Sequence, residues 1–61
     1  MKTLTGDILK NKFTGELYRV KKVKLKTVKL KTVLLEAENR PTKSWFGDDE
    51  SLELLYEKVE N

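Results

Sequence analysis

Residues 24–28 and 29–33 are the same pentapeptide, Lys-Leu-Lys-Thr-Val, in tandem. A five-residue period matches neither the helix nor the strand. The repeat lies in a longer stretch, 16–37, that is rich in Val, Leu, Thr and Tyr and free of Gly and Pro. Such a composition favours strands. On a helical wheel Val20, Val23, Leu25, Val28, Leu30 and Val33 scatter all round, so no amphipathic helix results. As strands the apolar residues alternate in short runs: Tyr18/Val20, Val23/Leu25, Val28/Leu30 and Val33/Leu35. The first three runs are each followed by two polar residues that invert the apolar face, at Lys21-Lys22, Lys26-Thr27 and Lys31-Thr32. A strand changes face only through a bulge, a bend or a turn. Drawn out straight, the stretch would span roughly 70 Å. A compact chain of 61 residues has a radius of gyration of about 10–11 Å. The stretch must therefore fold back at least once, and the reversal is expected at Lys26-Thr27. A bland account of the repeat is slippage on a tolerant strand; the functional account is a ladder of lysines on one sheet face.

The rest of the chain punctuates this stretch. Residues 1–61 are expected to form one small domain with a thin core. The N-terminus has no apolar h-region, so no signal peptide is expected. No apolar run approaches the length of a membrane-spanning helix, and no membrane partner is expected. Gly6-Asp7 reads as a turn into a short strand, Ile8-Leu9-Lys10. Asn11 to Gly15 reads as a loop that buries Phe13, with Gly15 supplying a positive φ. Asn39-Arg40-Pro41-Thr42 is a break, because Pro41 forces Arg40 out of the helical region. Thr42 to Phe46 reads as a strand ended by Gly47. Asp48 is a good N-cap, and Leu52, Leu55, Tyr56 and Val59 fall on one helical face, which predicts a helix over 49–58. A competing reading ends the helix near Leu55 and makes 56–59 a last strand. Trp45 and Phe46 point to opposite faces, with Trp45 expected between sheet and helix. The expected core is Ile8, Leu17, Tyr18, Val20, Val23, Val28, Leu30, Val33, Leu35, Trp45, Leu52, Leu55, Tyr56 and Val59.

The available chemistry is short. There is no Cys and no His, which excludes disulfides, thiolate or imidazole metal sites, Cys nucleophiles and His-based relays. Asp48 and Asp49 are explained by helix capping. Asp48-Asp49-Glu50 lacks the spaced loop ligands of a calcium site. Glu36 and Glu38 share a strand face, but paired-carboxylate hydrolysis needs a cleft that so small a chain has little room for. No phosphate-cradling glycine loop or dinucleotide fingerprint is present. No enzyme activity, no cofactor and no metal are expected.

Charge is divided unevenly. The formal net charge is +3. Residues 1–34 carry nine Lys and one Arg against Asp7 and Glu16, a net +8, while residues 35–61 carry three cations against eight acids, a net −5. The split fits a basic face that meets a polyanion, two halves that attract each other, or a solvated surface.

Gly6-Asp7-Ile8-Leu9, then Gly15-Glu16-Leu17-Tyr18-Arg19-Val20, then Val28-Lys29-Leu30, resembles the start of small SH3-like barrels, including the KOW type. In those a Gly-Asp opens the first strand and a bent second strand follows a loop. A basic sheet with a C-terminal helix is also similar to the archaeal Sul7-type chromatin proteins. The glycines of a KOW loop are incomplete here, and the acidic helix departs from a DNA-coating protein. The fold expected is a β-rich α+β domain, a small curled sheet or half-open barrel with one C-terminal helix. Fold does not carry function. The function expected is a non-catalytic, cytoplasmic binding module whose lysine-rich sheet contacts a nucleic-acid backbone through Lys21, Lys22, Lys24, Lys26, Lys29 and Lys31. Two arginines among many lysines imply sparse base readout and little sequence specificity. The rival is a protein–protein module, such as a small or mobile-element-encoded regulator that binds a host protein. It would use a sheet edge or the acidic helix.

Overall fold

The computed structural model describes residues 2–40 and 42–59, so the break expected at Pro41 itself lies outside the described residues. Among these described residues five strands and one helix follow in the order β1 Ile8–Asn11, β2 Leu17–Leu25, β3 Lys31–Ala37, β4 Ser44–Asp48, α1 Asp49–Leu55 and β5 Tyr56–Lys58. The strands make one antiparallel sheet in the order β4-β3-β2-β1-β5. The sheet curls into a half-barrel. Its two outermost strands approach through side chains, since the rings of Trp45 on β4 and Tyr56 on β5 lie 5.4 Å apart. Tyr56 in turn meets Tyr18 of β2 edge to face at 5.2 Å, a favoured geometry for aromatic pairs. The fold is thus the β-rich α+β curled sheet expected, and its radius of gyration is 10.8 Å.

The long apolar stretch folds back as required, but each polar pair does something different. At Lys21 a β-bulge inserts one extra residue: Val20 pairs with Leu35 and Lys22 with Leu34. The bulge restores phase, so Tyr18, Val20 and Val23 all turn to the inner face although Val20 and Val23 are three residues apart. Lys26-Thr27 opens the reversal, a hairpin loop over 26–30. Its Thr27 hydroxyl accepts from the backbone N–H groups of Lys29 and Leu30, and Lys26 N–H donates to the Leu30 carbonyl. At Lys31-Thr32 no inversion occurs, because β3 runs on with Val33, Leu35 and Ala37 buried on one face.

The core is Leu9, Tyr18, Val20, Val33, Leu35, Ala37, Leu52 and Tyr56, with Val23, Trp45 and Leu55 packed against it. Several expectations need correction. Val28 is 99% exposed and Leu30 is exposed, because both lie in the loop beyond the paired strands. Phe13 is exposed as well; the loop turns tightly about the Asn11 side chain, whose oxygen accepts from Phe13 and Thr14 N–H. Leu17 is exposed and Ile8 half-buried, since their neighbours Tyr18 and Leu9 take the inward positions. Val59 is half-buried, just beyond β5. Gly15 adopts φ +77° as expected.

The helix is shorter than the 49–58 expected, and the competing reading is the observed one. Asp48 caps it, accepting from Ser51 N–H at 2.8 Å. It ends at Leu55 because the free edge of β1 offers a better continuation. Tyr56 is already extended at φ −130°, ψ 155° and pairs with Asn11, Glu57 with Lys10 and Lys58 with Leu9. The last helical carbonyls are satisfied from the same loop: Lys12 N–H donates to the Leu55 carbonyl at 2.8 Å and Lys12 Nζ to that of Glu53 at 2.7 Å. Orphan carbonyls are the usual weakness of a helix end.

Trp45 faces inward, opposite Leu35, and is half-buried. Its ring lies over Gly47, where an added Cβ would sit 2.8 Å from Cη2 and 2.9 Å from Cζ2. Gly47→Ala is therefore expected to displace the ring from Tyr56 and to cost about 1–3 kcal/mol, as overpacking does. The checks are a red-shifted tryptophan emission and a lowered denaturation midpoint. Unchanged emission and midpoint would show that the ring does not rest on Gly47.

Candidate nucleic-acid interface

The six lysines expected to act together occupy three settings around the β2–β3 hairpin. Lys22 and Lys24 follow the bulge on the outer face of β2, where they stand opposite Leu34 and Thr32. Lys26 and Lys29 lie in the hairpin loop and are exposed. Lys21 is the bulged residue. Lys31, half-buried, pairs with Leu25 and shares the inner-face phase of Val33, so it does not join Lys22 and Lys24 on one side. The ladder on a single face becomes two outer-face lysines, two loop lysines and two flanking ones.

Ion pairing separates these lysines from some of the other cations, while Lys2, Lys12 and Arg40 make no ion pair among the described residues either. Arg19 pairs with Glu38 at 2.8 Å, Lys43 with Glu16 at 2.8 Å, Lys58 with Asp7 at 3.3 Å and Lys10 with Glu57 at 3.3 Å. Lys21 reaches Glu36 at 3.9 Å. Among the described residues Lys22, Lys24, Lys26, Lys29 and Lys31 make no ion pair. Acids of both halves, Asp7 and Glu16 as well as Glu38 and Glu57, thus meet cations away from the hairpin end and leave that end positive. Exposed pairs of this kind each contribute little to stability, so their main effect is on where the field is left unbalanced.

Beside Lys22 and Lys24 lies an outer-face groove of about 280 Å³, lined by these two lysines with Thr32, Leu34 and Phe46. Register explains the grouping. Leu34 on β3 stands between Lys22 of β2 and Phe46 of β4. Phe46 faces out because Trp45 faces in, and it is 63% exposed. Thr32 is buried beneath, its hydroxyl donating to the Lys24 carbonyl. The alternation of Trp45 and Phe46 already implied one outward aromatic. Leu34 carries no separate signal in the sequence, because Val33 and Leu35 on either side carry the inward alternation.

The carboxylates have structural partners. Glu36 faces Lys21 and Glu38 faces Arg19. Among the described residues no group of three or more acidic side chains is placed to hold a metal ion, and no helix is long and apolar enough to cross a membrane.

Several titrating groups are shifted by these contacts. The Leu4 backbone N–H holds the Asp7 carboxyl below its ordinary value, with help from Lys58 and against partial desolvation. Lys43 lowers Glu16 through a hydrogen bond, and Glu16 correspondingly raises Lys43. Ser51 N–H lowers Asp48. Burial raises the Tyr56 phenol. A carboxyl held low stabilises the fold fully above its unfolded-state pKa and loses that contribution as pH falls through the folded one. A lysine or tyrosine held high contributes fully below its unfolded-state pKa and loses it as pH rises. The melting temperature is therefore expected to be level from about pH 5 to about pH 9, to fall below about pH 4 and to fall again above about pH 10. Thermal melts across this range check it. A melting temperature that rose below pH 4 would contradict these contacts.

Comparison with protein-family models, with curated proteins and with solved structures finds no match to this chain.

Proposed function

We propose that this protein is a non-catalytic binding module that contacts a nucleic-acid backbone through the lysines of its β2–β3 hairpin, without strong sequence specificity. The observation that carries the reading is the clustering on one hairpin of five lysines, Lys22, Lys24, Lys26, Lys29 and Lys31, that have no acidic partner among the described residues, while Lys10, Arg19, Lys43 and Lys58 each meet a carboxylate. Unbalanced lysines attract phosphates as point charges and release counterions on contact. They lack the planar fork with which arginine reads guanine. Lys21, already close to Glu36, plays a lesser part. The curled sheet is compatible with the SH3-like barrels that the sequence resembles, and a cytoplasmic nucleic acid is the polyanion we assign to it.

The second reading, a module that binds a host protein, is favoured by one observation. Leu25 and Val28 are exposed at the hairpin end, at 65% and 99%, beside the same lysines. A partner with an acidic and apolar surface would fit that end.

Salt dependence separates the two readings. If about four phosphates are contacted, log K should fall against log salt with a slope near −3.6 on a duplex and near −2.8 on a single strand. Fluorescence anisotropy with labelled oligonucleotides measures it. The double substitution Lys22→Gln and Lys24→Gln should flatten the slope by about 1.4 to 1.8, and scrambling the oligonucleotide sequence should change little. Should no binding appear at low salt, the nucleic-acid reading fails and the protein-partner reading takes its place.

A further inference from the structure

We infer that the outer-face groove takes single-stranded nucleic acid, with a base stacked on Phe46 and the flanking phosphates on Lys22 and Lys24. The inference rests on the nucleic-acid reading above and adds to it the form of the ligand.

The groove joins two chemistries that a duplex does not use together. Its floor and wall are apolar, formed by Leu34 and the 63% exposed ring of Phe46. Its rim carries Lys22 and Lys24, which have no ion-pair partner among the described residues. Backbone contact alone would need the lysines and gain nothing from an aromatic ring left in water. A paired base keeps both faces covered by its neighbours in the stack, whereas an unpaired base offers a π-face. Stacking of bases on aromatic side chains, with cations tracking the backbone, is how single strands are held without sequence preference. The size agrees: about 280 Å³ lies just under the range of about 300–1,000 Å³ typical of small-molecule sites, which suits one base rather than a larger ligand.

The neighbouring charges leave the groove open to an anion. Asp48 continues the outer row of β4 opposite Thr32, but its carboxylate is turned to the helix, where it accepts from Ser51 N–H at 2.8 Å. Glu36 follows Leu34 on the outer face of β3 at the other end and lies by Lys21. The backbone that carries the ring is fixed, since Phe46 pairs in register with Leu34 on β3 and its neighbour Trp45 packs on the inner face against Tyr56.

Three labelled probes test the inference at one low salt concentration: a short oligothymidylate, the same strand annealed to its complement, and a strand of equal length without bases. The single strand should bind more tightly than both others. Phe46→Ala should weaken the oligothymidylate by about 5- to 150-fold and leave the duplex and the abasic strand within about twofold, since no stacked base is lost there. Phe46→Trp should keep or raise the affinity. Equal binding of all three probes by the unaltered protein, with no effect of Phe46→Ala, overturns the inference and leaves the backbone reading standing. No binding of any probe overturns both. Far-UV circular dichroism melts accompany each variant; if Phe46→Ala does not fold, the abasic comparison and Phe46→Trp decide the question alone.

Discussion

One extra residue in β2 governs how this chain is divided between core and surface. Without a bulge, Val20 and Val23 would lie on opposite faces, because side chains alternate strictly along a strand. Lys21 takes up the odd position. Tyr18, Val20 and Val23 then all turn inward, and Lys22 and Lys24 both turn outward. Bulges also bend and twist the strand that carries them. In a sheet of five short strands that curvature brings β4 and β5, the two ends of the order, close enough for Trp45 to meet Tyr56 at 5.4 Å. The same residue that sorts the side chains therefore sits where the sheet curls.

The small core makes that sorting consequential. Among the described residues eight apolar side chains are buried, and a domain of this size leaves a large share of its surface in water. Two aromatic contacts, Tyr18–Tyr56 and Trp45–Tyr56, tie together three strands, of which β4 and β5 are not neighbours in the sheet. Tyr56 is thus the joint between the sheet's two edges. It can act so only because the helix stops at Leu55 and releases it to pair with Asn11. Charge follows the same division. Acids from β3, from just after it, from β5 and from the segments before β1 and β2 meet cations away from the hairpin end, and that end is left with lysines alone.

The sheet was legible in the sequence where local rules and tertiary packing agree. The polar pair Lys21-Lys22 marked the bulge, Lys26-Thr27 marked the reversal, and Asp48 marked the cap. What escaped was decided by context. The two copies of Lys-Leu-Lys-Thr-Val have identical local preferences, yet Val28 is 99% exposed and Val33 is 0%. One copy spans the end of β2 and the turn, the other spans the turn and the start of β3. No propensity distinguishes them, only where the chain finds a partner strand. The helix end escaped for the same reason: Tyr56 continues the helical face in sequence, but the open edge of β1 competes for it. In the candidate site, the outward aromatic was implied by adjacency to Trp45. The pairing of Phe46 with Leu34, and of Leu34 with Lys22, needed the register that the bulge sets.

The register of β2 against β3 is therefore the claim on which both the core and the candidate interface depend. Cross-strand nuclear Overhauser contacts in the folded protein measure it directly. Val20 is expected opposite Leu35, Lys22 opposite Leu34 and Val23 opposite Val33, with Lys21 bulged out of the strand pairing. Contacts that placed Lys21 opposite Leu34 and Val23 opposite Thr32 would contradict that register. They would remove the bulge, turn Val23 to the outer face and take Lys22 away from Phe46.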